Sequence, residues 1–119
     1  MLFERNASIQ SKDNNDQTPL SLAAEKGNLV MVKRLLERNA DVHFKDKYGR
    51  RSLLLTTKNG HESVVKLLLE RNVNIESKDT NGSTPLSLAK NHGYEAVAEL
   101  LLEHERLLDS GQRRPSPQL

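Results

Sequence analysis

Histidine is the side chain best suited to proton transfer or metal ligation near neutral pH, and the chain carries four: His43, His61, His92 and His104. A zinc-type site sets His or Cys ligands a few residues apart on one turn or helix face. None of the four has such a neighbour and the chain has no cysteine, so they read as structural residues and not as ligands. Hydrolysis by an activated serine calls for a Gly-x-Ser-x-Gly elbow, and phosphate or dinucleotide binding calls for a glycine-rich loop. Neither occurs. The acid–base neighbours Glu4-Arg5, Glu37-Arg38 and Glu70-Arg71 recur at a fixed interval, which marks a solvated charged face and not an acid–base pair. The expectation is a non-enzyme with no catalytic residue, no cofactor and no metal. Arg113-Arg114-Pro115-Ser116-Pro117 suits a basophilic or proline-directed kinase, although such pentads are common in tails as silent linkers.

Composition narrows the remaining classes. The 119 residues are 35% hydrophobic and 29% charged, enough for one module and too few for a scaffold plus a catalytic domain. Aromatic content is 3% with no Trp, so a base-stacking platform is out of reach and the core must come from Leu, Val and Ala. The formal net charge is only +2, and Lys and Arg alternate with acids, as in Lys45-Asp46-Lys47. A phosphate-tracking surface needs them gathered on one face, so nucleic acid is not expected as a partner. The absence of cysteine suits a reducing compartment. No stretch reaches the roughly 18 apolar residues of a membrane span, and MLFERNASIQ lacks a signal peptide's apolar run. Neither membrane nor small-molecule substrate is expected, and the localisation expected is intracellular, cytoplasmic or nuclear.

What must position any functional residue is a repeat. Matching blocks open at Thr18, Arg51 and Thr84, a constant period of 33 residues. Thr18 and Thr84 can cap a helix with their hydroxyls, and Pro19 and Pro85 fit its first position, where no N–H is needed. Gly27, Gly60 and Gly93 share one phase and can end that helix after about two turns by adopting positive φ. A second helix follows, with an apolar stripe of Val32, Leu35 and Leu36, then Val65, Leu68 and Leu69, then Leu101 and Leu102. Asn39 and Asn72 suit its left-handed end. Between repeats, Asp46-Lys47-Tyr48-Gly49 and Asp79-Thr80-Asn81-Gly82 form projecting turns, Asp13-Asn14-Asn15-Asp16 forms one without glycine, and Val42 and Ile75 anchor the loops.

With this period and with Thr18-Pro19-Leu20-Ser21-Leu22-Ala23 and Thr84-Pro85-Leu86-Ser87-Leu88-Ala89, the chain resembles the ankyrin repeat family, whose signature is T-P-L-H-x-A. The resemblance covers roughly residues 1 to 108 and implies an all-α solenoid of stacked helix-turn-helix units joined by projecting hairpin-like turns. On this pattern residues 1–17 are the remnant of a preceding repeat, 18–50 and 51–83 are repeats, 84–108 is a C-terminal capping repeat and 109–119 is a disordered tail. The start inside a second helix suggests the C-terminal piece of a longer array. The family's His is replaced by Ser21 and Ser87, whose hydroxyls can do part of its work in tying neighbouring hairpins together. His61, after Gly60, stands where the family commonly has His and reads as a structural turn residue. The middle block departs further: Thr56 and Thr57 stand where the signature has small Ala, so a weak central joint is expected.

The resemblance also implies that a partner binds the concave face made by the turn tips and the first helices. Carried onto this chain, that face is Asn14, Asn15 and Gln17; Glu25 and Lys26; Lys47, Tyr48 and Arg50; Lys58 and Asn59; Thr80, Asn81 and Ser83; Asn91 and His92. Tyr48 and Arg50 are the leading contacts, because aromatic and guanidinium groups dominate interfaces once desolvated. Lys26, Lys47, Arg50 and Lys58 make the face mildly basic, with Glu25 opposing, which suits an acidic segment. The expected function is a non-catalytic protein-protein interaction module. The alternative is an intramolecular spacer or autoinhibitory array within a larger multidomain protein.

Overall fold

The computed structural model describes residues 11–71 and 73–110, without the side chains of 109 and 110. The expected cap at Asn72, the first ten residues of the remnant and the stretch holding Ser116 lie outside the described residues. Among the described residues six helices follow one another: α1 (Pro19–Lys26), α2 (Leu29–Glu37), α3 (Ser52–Lys58), α4 (Glu62–Leu69), α5 (Pro85–Asn91) and α6 (Glu95–Ser110). No strand occurs among the described residues. Consecutive helices pair as α1/α2, α3/α4 and α5/α6, the first helices form one row α1-α3-α5, and the second helices form another, α2-α4-α6. This is the expected solenoid of stacked hairpins.

Each start and stop has a local cause. Thr18 Oγ1 accepts the Ser21 N–H at 3.2 Å, and Thr84 Oγ1 accepts that of Ser87 at 3.1 Å. Ser87 Oγ in turn accepts the Thr84 N–H at 2.9 Å, completing a reciprocal cap. The two serines therefore differ from expectation: a hydroxyl is too short to reach the next hairpin as an imidazole would, and both serve their own N-caps. Arg51 in the middle repeat supplies no side-chain cap. Asn39 ends α2 in the left-handed region at φ 67°, as expected of Asn there. α6 runs on to Ser110, two residues into the stretch read as tail.

The core lies between the two helix rows. Leu20, Val32, Leu35, Val65, Leu68 and Leu101 are fully or almost fully buried, and Val42 and Ile75 are buried beneath the loops as expected. Burying a Leu or Val side chain contributes about 1.5 to 3 kcal/mol. Leu102 departs from the expected stripe. It is 42% exposed, whereas its register mates Leu36 and Leu69 are 5% and 9% exposed, because each of those is covered by a following layer and no described element covers α6 on that side.

Two features fix one layer on the next. At Gly27 (φ +72°) a Cβ would lie 2.5 Å from Nδ1 of His61, so the imidazole of the second repeat is seated on the bare backbone of the first. Tyr94 sits on Gly60 in the same way, but no atom of the described residues lies within 4 Å of the corresponding point on Gly93. His61 Nε2 also lies 2.9 Å from the Glu25 carbonyl oxygen, which agrees with its reading as a structural turn residue. The second feature is a main-chain ladder between turns: Lys47 N–H donates to Asn15 O at 2.9 Å and Thr80 N–H to Tyr48 O at 3.0 Å.

Thr56 and Thr57 lie on α3, between α1 and α5, with no surface exposed and with hydroxyls that have no hydrogen-bond partner among the described residues. A buried hydroxyl without a partner costs about 1 to 3 kcal/mol. Thr57→Val keeps the shape and removes that polar atom, so a gain of about 1 kcal/mol in urea unfolding is expected; a loss would show that the hydroxyl is satisfied by solvent. Gly27→Ala should cost about 2 kcal/mol or more, since it combines left-handed strain with displacement of His61, whereas Gly93→Ala should cost about 1 kcal/mol from strain alone. Equal losses in thermal unfolding would refute the seating of His61.

Candidate partner-binding face

The three projecting turns are built on one plan. Asp13, Asp46 and Asp79 each accept two backbone N–H groups through Oδ1 at 2.9 Å, from the residues two and four positions on. Each is also tied by its own N–H to the carbonyl four residues on, at 3.0 Å. The left-handed position is taken by Gly49 and Gly82 at φ 75° and 81°, and by Asp16 at 61° in the turn without glycine. An Asp side chain followed four residues later by the first residue of the helix approach is thus the local code for a rigid tip.

The residue four positions after each Asp differs, and this decides how neighbouring turns relate. The family resemblance puts Gln17 on the contact surface; the structure instead buries it to 6% exposure and points Nε2 at Asp46 Oδ2, 3.4 Å away. Its amide bridges the first and second turns, which removes it from the set of contacts a partner could touch. Arg50, its register mate, turns the other way: Nε donates to Asp46 Oδ2 of its own turn at 2.9 Å. Asp46, whose side chain is 0% exposed, therefore has acceptors filled by Tyr48 N–H, Arg50 N–H, Arg50 Nε and Gln17 Nε2. Ser83 is too short to repeat this, so Asp79 is half-buried with no ion pair of that kind.

Between the second and third turns the surface consequently opens into a hollow of about 490 Å³, lined by Tyr48, Arg50, Lys58, Asp79, Thr80, Asn81, Ser83 and Leu88. Tyr48 is 44% exposed, and the Arg50 guanidinium carbon lies 4.9 Å from its ring centroid, a cation–π contact that also orients the ring. Six of the expected contacts, Tyr48, Arg50, Lys58, Thr80, Asn81 and Ser83, are thus gathered in one place.

The other expected contacts are distributed along the same rows. Asn14, Asn15 and Lys47 are exposed at the tips, and Lys26, Asn59, Asn91 and His92 are exposed at the ends of the first helices; Glu25 is half-buried. Asn59 Nδ2 donates to the Leu55 carbonyl at 3.0 Å, and the His92 and Tyr94 rings meet edge to face at 5.6 Å. The expected basic character is smaller than counted from sequence, because Asp46 neutralises Arg50 and Asp79 adds a negative charge to the hollow; Lys26, Lys47 and Lys58 remain exposed. Sequence reasoning missed Asp79 and Leu88. The four-residue spacing from Asp79 to Ser83, against Asp46 to Arg50, was the signal available for the first.

No three His, Asp or Glu side chains gather in a metal-binding group among the described residues, and no described helix is long and apolar enough to cross a membrane. A family model for ankyrin repeats (3 copies) matches residues 1–79 and 53–115. No curated protein matches the chain.

The burial of Asp46 predicts an asymmetry between turns. Asp46→Ala leaves four donors without their acceptor and should lower stability by about 2 to 4 kcal/mol, against about 1 kcal/mol for Asp79→Ala, both read from urea midpoints.

Proposed function

The chain belongs to the ankyrin repeat family, and from that premise we propose that it binds a partner protein through its concave face of turn tips and first helices. Members of this family are in general protein-protein interaction modules and typically non-catalytic. The observation that carries the proposal here is the hollow at Tyr48, Arg50, Lys58, Thr80, Asn81 and Ser83, which joins two turns and the row of first helices into one recess. It pairs a partly exposed aromatic ring with polar groups held in place by their own turns, the composition of an interface hot spot with a polar rim. Tyr48 is pre-oriented by Arg50, so little side-chain freedom is lost on binding.

The exposed Lys26, Lys47 and Lys58 give this face a positive fringe. Isolated exposed charges each contribute about 0 to 1 kcal/mol, so they favour approach of an acidic segment and raise the association rate more than they set affinity.

A photo-crosslinking residue at position 48 or 91 should yield adducts to a protein partner, and the same residue at position 33 on α2 should not. Tyr48→Ala combined with Lys58→Glu should then weaken recovery of that partner about tenfold or more with an unchanged far-ultraviolet circular dichroism spectrum. Equal yields from positions 33 and 48 would count against the concave face.

A further inference from the structure

We infer that the hollow between the second and third turns takes a single carboxylate side chain from an extended segment of the partner, with an apolar side chain two residues away against Tyr48 and Leu88. This rests on the concave-face proposal and narrows it to a chemical class: an acidic residue, one intervening residue, then an apolar one.

The donors come first. Arg50 has five N–H groups in a planar fork, and only Nε is engaged by Asp46. The guanidinium is braced at one edge by a fully buried carboxylate and on its face by the Tyr48 ring. The side chain keeps 16% of its surface exposed and its two terminal nitrogens are not engaged by Asp46, and a planar fork of this kind matches the two oxygens of a carboxylate. Lys58 lines the same hollow, is exposed, and has no carboxylate partner among the described residues.

Asp79 then limits what the donors accept. It lies in the same recess, spends Oδ1 on the Asn81 and Ser83 N–H groups, and lacks the arginine that neutralises Asp46. A fixed negative charge beside Lys58 and an Arg50 already paired with Asp46 disfavours a continuous polyanion, in which every unit carries charge. It is compatible with one carboxylate followed by a backbone N–H, since the amide is a donor that Asp79 can meet.

The apolar wall sets the spacing. Side chains at alternate positions of an extended strand point the same way, about 7 Å apart. A carboxylate met by Arg50 and Lys58 would leave the residue two positions along facing the same recess, whose apolar surfaces are the exposed ring of Tyr48 and half-buried Leu88.

The test is a random-peptide display selection against the full 119-residue chain, followed by binding measurements with the selected peptides. Enrichment of Asp or Glu two residues from Leu, Ile, Val or Phe is expected. Lys58→Glu should weaken those peptides about tenfold, and replacing the peptide's acid with Lys should restore binding to that variant. Lys33→Glu on α2 serves as the control and should change nothing. Asp79→Asn retains the Oδ1 acceptor that holds the turn, and should increase retention on heparin. Peptides that respond to Lys26→Glu or Asn91→Arg but not to Lys58→Glu would overturn the carboxylate site and leave the concave face standing. Peptides indifferent to all of these, or a selection that enriches nothing, would count against both.

Discussion

Everything in this fold depends on how one layer finds its place on the next, and two contacts repeated at the 33-residue period do this. An aromatic or imidazole ring rests on a left-handed glycine of the preceding layer, His61 on Gly27 and Tyr94 on Gly60. A main-chain N–H of each turn donates to a carbonyl of the turn before it, from Lys47 to Asn15 and from Thr80 to Tyr48. The ring contact fixes the distance and the hydrogen bond fixes the lateral register. Hydrophobic burial between the helix rows supplies most of the stabilisation but has no direction of its own, so without these contacts the hairpins could slide. The aligned rows of turns and first helices, and hence any concave face, follow from this registration.

The constraint also explains which parts of the molecule were legible in sequence. Thr18, Pro19, Gly27, Asn39 and the apolar positions of α2 and α4 act on the backbone within a turn or two, and their effect can be deduced from residue type and spacing. Asp16 behaved as a glycine substitute because a short carboxamide or carboxylate side chain tolerates positive φ. The departures are long-range or depend on side-chain reach. Gln17 is buried by an aspartate 29 residues later. Ser21 and Ser87 share the histidine's place in the pattern but not its length. Leu102 fits the stripe, yet exposure is set by what covers it. Within the candidate face, the tip positions followed from phase alone, whereas the direction in which Arg50 points did not.

That direction is the difference between a closed and an open surface. The three turns share one backbone plan, held by Asp13, Asp46 and Asp79, so the residue four positions later varies without altering the tip. Glutamine at that place reaches forward and adds a side-chain bridge to the next turn; arginine reaches back onto its own aspartate and leaves the next gap with its main-chain bond alone; serine reaches neither. The hollow lies between the second and third turns, where no such side chain crosses the gap. A repeat architecture in which one exchangeable side chain decides whether a second, side-chain bridge joins neighbouring turns can change its binding surface while its hydrogen-bonded scaffold stays constant. The cost of that freedom is carried by Asp46, which must be buried and fully paired for Arg50 to be held where a ligand could use it.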